Sequence, residues 1–524
     1  MECTMIWTIT KRELLSNIIK FRFLISLILC LVLITASTFV LTMDYTIRLK
    51  EYKEESAARV EYLKTMKVHS QIKSGADKPP SPLGFLCVGS EREFGDTVQD
   101  VSYREVPREA IGQGGGNPLA GIFSSLDIAV FVQVILGLLA FLLAYDAISG
   151  ERETGTLAVM LSNPVPRHHI LLGKLLGGMI SIAVPVIAGM LAGLIVALSF
   201  DSVSLNASAW ARTGLVFLGS LLYLSALFMI GLFVSTRTRR SATSLVILLF
   251  IWVISVVLLP NMSPHAARHL RKVEDKATVD AKREALEAEF WRKVDNFRDA
   301  QKRAGKWQYP LFFRFMDRRS PFSGDSPYPA VVFYAPKENM IWYMEGLEYC
   351  VPLRMEYAGK IWELYRSYET ELQRQVALSD NMSRISPSWV YYNVISILAG
   401  TDSNAYKRFM EQARQYRNQL IDYTATQRGF STMSFFTTMK MGEMLTYQQL
   451  MQIESDQGSG AISKIKASYW DKAPTLKDIP VFYYRWESPA ESVRRAAPDL
   501  LIIFLLNIVF FLALYASFVR QEVK

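Results

Sequence analysis

Cysteine and histidine are scarce, at 4 and 5 in 524 residues. That scarcity excludes a disulfide-stapled secreted scaffold and a cysteine-rich metal domain. His265 and His269 form one i, i+4 pair without a close acidic third ligand, so no metal site is expected. H-E-x-x-H and G-x-S-x-G do not occur, and neither does G-x-x-x-x-G-K-[ST]; Gly173-Lys174 is followed by Leu175 and lacks the earlier glycine. The chain therefore offers no catalytic residues and no cradle of its own for ATP. The most informative absence is of charge: residues 23–43, 128–145, 175–200, 213–236, 241–262 and 500–519 hold no Asp, Glu, Lys or Arg.

Half of the residues are apolar. Each charge-free run is long enough to cross a hydrocarbon core of about 30 Å as a helix. The reading is an α-helical integral membrane protein with six transmembrane helices and two extracytoplasmic insertions, the second mainly helical. The first run follows Lys20 and Arg22 but is a poor signal peptide, because about twenty residues precede it and no small-x-small cleavage site is evident.

The net charge of +9 is concentrated in the short segments. There, twelve basic residues (among them Lys11, Arg12, Arg152, Arg167, Lys174, Arg237, Arg239 and Arg240) face six acidic ones. The longer segments share the remaining +3. The positive-inside rule then puts both termini in the cytoplasm and both long segments outside. Basicity reports topology here, and nothing suggests nucleic acid. Cys87 and Cys350 are the two cysteines on the outer side. An oxidising outer compartment permits a Cys87–Cys350 disulfide; two buried free thiols are the other reading.

Residues 6–21 place Ile6, Ile9, Leu14, Ile18 and Phe21 near helical spacing, as in a helix lying in the membrane interface. A charged helical stretch at 45–73 continues the first run until Pro79, Pro80 and Pro82 stop it. Residues 83–111 read as β or irregular structure and 112–116 as a loop. In the second insertion, 266–306, 353–378 and 404–424 are helical, with loops at Ser320-Pro321, Ser326-Pro327 and Ala335-Pro336. Residues 458–485 read as loops with short strands. Gly173, Gly177, Gly178, Gly189 and Gly193 give the third run small-residue faces, Pro185 is a kink site, and Asn507 in the last run suits an interhelical hydrogen bond.

After the second run, the chain reads Ser149-Gly150-Glu151-Arg152-Glu153-Thr154-Gly155-Thr156-Leu157, then Pro164-Val165-Pro166-Arg167 and Gly173-Lys174. This multi-part pattern resembles the permease subunit of type-2 ABC exporters. Residues 382–388, 398–402 and 409–417 are similar to a subfamily with a large insertion before the last span. The resemblance implies a coupling loop in which Glu151, Arg152 and Glu153 orient a partner by ion pairs, Gly155 allows close approach, and Thr154 and Thr156 complete the contact. It also implies a cytoplasmic ABC ATPase carrying ATP and Mg²⁺, a second permease copy or paralogue, and membrane lipid around the spans.

The expected order is then residues 1–22 as the interfacial helix, 23–43 as span 1, 44–125 as the first outer segment, and 126–148 as span 2. The coupling loop is 149–172, spans 3 to 5 are 173–200, 213–236 and 241–262, the large outer domain is 263–498, span 6 is 499–519, and the tail is 520–524. Two functions fit. One is an ATP-driven exporter that moves or extracts a substrate; the other is a mechanotransmission module that moves its outer domains to actuate an envelope partner. A sensor or membrane enzyme would need an output domain or outer catalytic site, and neither is found.

Overall fold

The computed structural model describes residues 2–19, 21–112, 127–162, 165–306, 337–458, 460–461, 464 and 472–520. Among the described residues, six helices are long and apolar enough to cross a membrane: Phe21–Thr65, Ile128–Glu153, Arg167–Leu198, Ala207–Arg237, Ser241–Leu270 and Pro489–Val519. These are spans 1 to 6, and each contains one of the charge-free runs, save that span 3 ends at Leu198, two residues short of the run at 175–200. Pro185 sits within span 3 without ending it.

Helix α1 (Glu2–Ile19) packs along span 3. Side chains would keep the two backbones apart; a Cβ on Gly173 would lie 2.5 Å from Ile9, and one on Gly177 2.7 Å from Glu13. The glycine face therefore works as a bed for α1. Farther along, Gly189 and Gly193 do the same for span 1, against Ile34 and Thr38. In a membrane, where apolar burial drives little, such close packing is the main attraction available.

Spans 1, 2 and 5 each contain a π turn, at Cys30–Ile34, Phe131–Leu136 and Val253–Leu258. A π turn breaks the regular i→i+4 ladder and frees carbonyls that lipid cannot satisfy. Neighbouring helices supply donors. Tyr223 Oη donates to Gln133 O at 3.0 Å and Trp252 Nε1 to Val134 O at 3.2 Å. Ser386 and Ser388 hydroxyls both donate to Ser255 O, at 2.5 and 2.9 Å. Asn507 of span 6 donates to Leu222 O at 3.0 Å and accepts from Ser225, the interhelical role its position suggested.

Between spans 1 and 2 the first insertion departs from expectation. The helix ends at Thr65, not near 73, and β1 (Ser74–Asp77) pairs antiparallel with β2 (Thr97–Val101). Arg59 explains the early strand: its guanidinium binds the Asp77 carboxylate at 2.7 Å and holds β1 against the helix. A buried knot follows, in which Lys78 reaches Glu91 at 2.8 Å and Arg48 lies 3.9 Å from the same carboxylate. Burial alone would raise Glu91, but Lys78 and Arg48 hold its carboxyl below the usual range. Of the loop expected at 112–116, residues 113–116 lie outside the described residues.

On leaving the membrane, span 5 continues to Leu270 before α4 (Lys276–Arg303) begins. The next helix, α5, is one piece of 47 residues, Lys337–Ser383, and contains the stretch expected at 353–378. The three proline-marked loops at 320–336 lie outside the described residues. Helix α6 (Pro387–Ala399) is capped by Ser386, which accepts from Trp389 N at 3.2 Å, and ends at Gly400 with φ +73°. Helix α7 (Ser403–Thr426) follows. In residues 472–485 the chain forms no strand, and 459, 462–463 and 465–471 lie outside the described residues.

Helix α6, within the second insertion, packs on the spans. Tyr391, Val394 and Ile395 are buried in the same core as the spans, with the Tyr391 ring stacked 4.6 Å from Tyr223. The far end of the bundle is thus filled by an inserted helix. The rest of the insertion has cores of its own: Phe290, Tyr343 and Phe436 belong to one, and Phe409 and Tyr416 to another that includes β1 and β2 residues. Arg417 ties that second core to the first insertion by donating to Ser102 O, Tyr103 O and Glu105 O at 2.7–3.0 Å.

No Cys87–Cys350 bridge joins the insertions, and both residues are free thiols. Cys87 is buried with the span core, whereas Cys350 packs against the core around Phe290 and Tyr343. Burial raises both, Cys350 to about 12 and Cys87 further, with Asp127 adding to Cys87. Alkylation of the denatured, unreduced protein should therefore modify both. A mass deficit of two alkyl groups, restored by reductant, would show a bridge instead.

Candidate functional site

The end of the bundle that holds α1 also gathers the 149–162 segment, the 237–240 turn and the end of span 6. Two short helices, α2 (Ser149–Glu153) and α3 (Thr156–Ser162), project there, separated by Gly155 at φ +75°. A left-handed turn at that position favours glycine, and no atom lies within 4 Å of where its Cβ would be. The quoted Asn163-Pro164 lies outside the described residues.

Three consecutive charged residues of α2 each grip a different element. Glu151 Oε1 accepts from Lys174 Nζ of span 3 at 2.6 Å, and the same ammonium binds Glu13 of α1 at 2.6 Å. Arg152 donates to Thr238 O at 2.5 Å and Thr236 O at 3.1 Å, satisfying carbonyls at the C-terminus of span 4. Glu153 accepts from Ser241 N at 3.2 Å and Ser241 Oγ at 2.5 Å, at the N-terminus of span 5. Cation and anion thus stand at the helix ends whose dipoles favour them.

The base of α2 is fixed as well. Ser235 Oγ accepts from Ile148 N and Ser149 N at 3.2 and 3.0 Å and donates to Tyr145 O at 2.9 Å. Lys174, 2 % exposed at its side chain, is the buried centre of the arrangement. At the bundle's corner, Arg22 binds Asp146 at 3.0 Å, and Arg167 donates to Val519 O at 2.7 Å.

Glu151, Arg152 and Glu153, expected to orient a partner by ion pairs, each also hold a group of this chain. Thr154, Gly155 and Thr156 are exposed, with the two hydroxyls 2.9 Å apart. Beside them Ala158 is exposed and Val159 is 65 % exposed. The face available for contact is thus small and mostly uncharged, with Glu153 exposed at its edge and Glu151 and Arg152 half-buried beside it. Ser235 and Ser241 were missed as members of this site, and Lys174, quoted with Gly173 in the pattern, was given no role in it. Only Lys174 left a signal, as a charge beside glycines at the edge of an apolar run.

A family model described as "ABC-2 family transporter protein" matches residues 7–523. Two curated relatives are each described as a probable ABC transporter permease protein NosY. The protein from Stutzerimonas stutzeri is 35 % identical over 155 residues, 29 % of this chain and 55 % of the relative. That from Pseudomonas aeruginosa is 42 % identical over 81 residues, 15 % of this chain and 28 % of the relative. The matched stretches thus span about half or less of those relatives' own length.

Proposed function

This chain belongs to the ABC-2 transporter family, and from that premise we propose that it is the permease subunit of an ATP-driven exporter. A separate cytoplasmic ATPase holds ATP and Mg²⁺ and docks on the α2–α3 face. Both termini are cytoplasmic, in an inner membrane, as the basic short segments favour. The observation that carries the reading is the brace formed by Glu151, Arg152 and Glu153. A push on the surface of Thr154, Gly155, Thr156, Ala158 and Val159 reaches span 3 and α1 through Lys174, the end of span 4 through Arg152 and the start of span 5 through Glu153. Motion of one docked surface is thereby shared among three spans.

A second permease copy completes the membrane unit. Span 5 supports this, since Val246, Phe250, Val253 and Val257 are all exposed on a single chain and suit either lipid or another copy. The mechanotransmission reading draws on one observation, the packing of α6 into the same core as the spans.

Purification from the native membrane in mild detergent, with identification of co-purifying subunits and an ATPase assay, tests the proposal. A nucleotide-binding subunit with ATP hydrolysis is the expected result. Its consistent absence, under conditions that keep other membrane complexes intact, would overturn both readings.

A further inference from the structure

Beneath the brace lies a cleft of about 640 Å³, bounded by α1, the end of span 2, α2 and span 3. That volume suits a small ligand or a headgroup. Asp146 commits Oδ2 to Arg22 and Glu151 commits Oε1 to Lys174. The other oxygen of each, Asp146 Oδ1 and Glu151 Oε2, is buried and has no hydrogen-bond donor among the described residues. Both residues line the cleft. Buried carboxylate oxygens without donors are costly, and two in one cleft call for a ligand rich in N–H groups and positively charged.

Two further features narrow the ligand. Arg12, on the α1 wall, is exposed and has no ion-pair partner among the described residues, so an anion is accommodated close to the cation. Ile9, Leu143, Ile170 and Phe228 make much of the remaining wall apolar. Position supplies the source. Trp7 and Ile19 of α1 are 63 % and 83 % exposed, and Phe21 beyond it 73 %. A helix that turns such residues away from the bundle lies in the headgroup layer, and the cleft it bounds lies at that depth.

We propose that this cleft binds the headgroup of a primary-amine phospholipid. The ammonium donates to Asp146 Oδ1 and Glu151 Oε2, the phosphate pairs with Arg12, and the apolar wall takes the first methylenes of the chains. A quaternary-amine headgroup has the same charges but no N–H to donate, so the site discriminates between two otherwise similar lipids. A basic side chain of a docked protein is the rival occupant; the volume, the free guanidinium and the headgroup depth favour lipid. The proposal goes beyond the transport reading and needs no ATPase.

The full chain, without ATPase, is placed in nanodiscs with equal phosphatidylethanolamine and phosphatidylcholine, released, and examined by native mass spectrometry. Ethanolamine lipid is expected to be retained about 10-fold over choline lipid. Asp146→Asn, or Glu151→Gln should the first fail to fold, is expected to reduce that preference to about 2-fold. Arg12→Gln, at an exposed position, is expected to weaken retention of both lipids. Equal retention by the parent chain, or full preference in a folded carboxamide variant, would overturn the proposal. So would displacement of the lipid by water-soluble phosphoethanolamine, or carbodiimide cross-links from Asp146 or Glu151 to lysines of a bound ATPase. Because ATP hydrolysis is not read out, failure here leaves the exporter reading to its own test.

Discussion

A Val159→Asp chain is expected to insert and unfold as the parent does, yet to lose about 30-fold or more in affinity for its ATPase. Val159 is 65 % exposed on α3, beyond the ion-paired residues, and its carbonyl accepts from Ser162 Oγ at 2.8 Å, a main-chain bond that the substitution keeps. If α3 seats in a partner cleft, the new carboxylate is desolvated with no cation provided for it. Losses of about 2 kcal/mol or more are typical of such central contacts and correspond to about 30-fold. Titration of purified ATPase onto the detergent-solubilised permease would measure it. Lys50→Asp, on the outward continuation of span 1, serves as the charge control. Unchanged affinity for Val159→Asp would remove α3 from the interface.

Lys174→Met is expected to be the most destabilising single change, by about 3–5 kcal/mol. Its ammonium is shared at 2.6 Å by Glu13 and Glu151, and its side chain is 2 % exposed. Methionine fills similar space but leaves two carboxylates facing each other without a cation. Thermal unfolding in detergent would show the loss, and the triple change Lys174→Met with Glu13→Gln and Glu151→Gln should recover most of it. The triple variant is the more telling one. It restores the fold while cutting the link from α2 to span 3, so ATP hydrolysis should persist with less permease-dependent stimulation. A triple variant with full stimulation would show that force passes by another route.

The six spans were legible because an 18-residue run without charge has few other meanings. The bed of glycines was legible too, although what lies on it was not: Gly173 and Gly177 receive α1, an element of the same chain. Helix α6 was missed because thirteen largely apolar residues are too few to span. Runs of that length are ambiguous between a buried core helix and an inserted one, and only the Tyr223–Tyr391 stack and the Ser255 carbonyl decide for insertion. The pattern 149–157 singled out this segment but not the groups of this chain that its charges hold. Glu153 finds Ser241 88 residues away and Arg152 finds Thr238 86 residues away, and spacing along one sequence carries no signal at that range. The cysteine pair failed for a related reason, since sharing a side of the membrane says nothing about sharing a core.

The π turns set a different kind of limit on this chain. Each holds one residue more than an α-helix needs for nearly the same rise. Deleting a residue from Val253–Leu258 would let the α ladder close and draw the Ser255 carbonyl into it, away from Ser386 and Ser388. Because the wide turn winds its extra residue through about the same rotation, the helix on either side would keep nearly its facing, and what would be lost is the tie to Ser386 and Ser388. In spans 2 and 5 the extra residue thus works as a socket: it opens carbonyls that a neighbouring helix plugs, and a chain one residue shorter there would keep its course and lose its fastening.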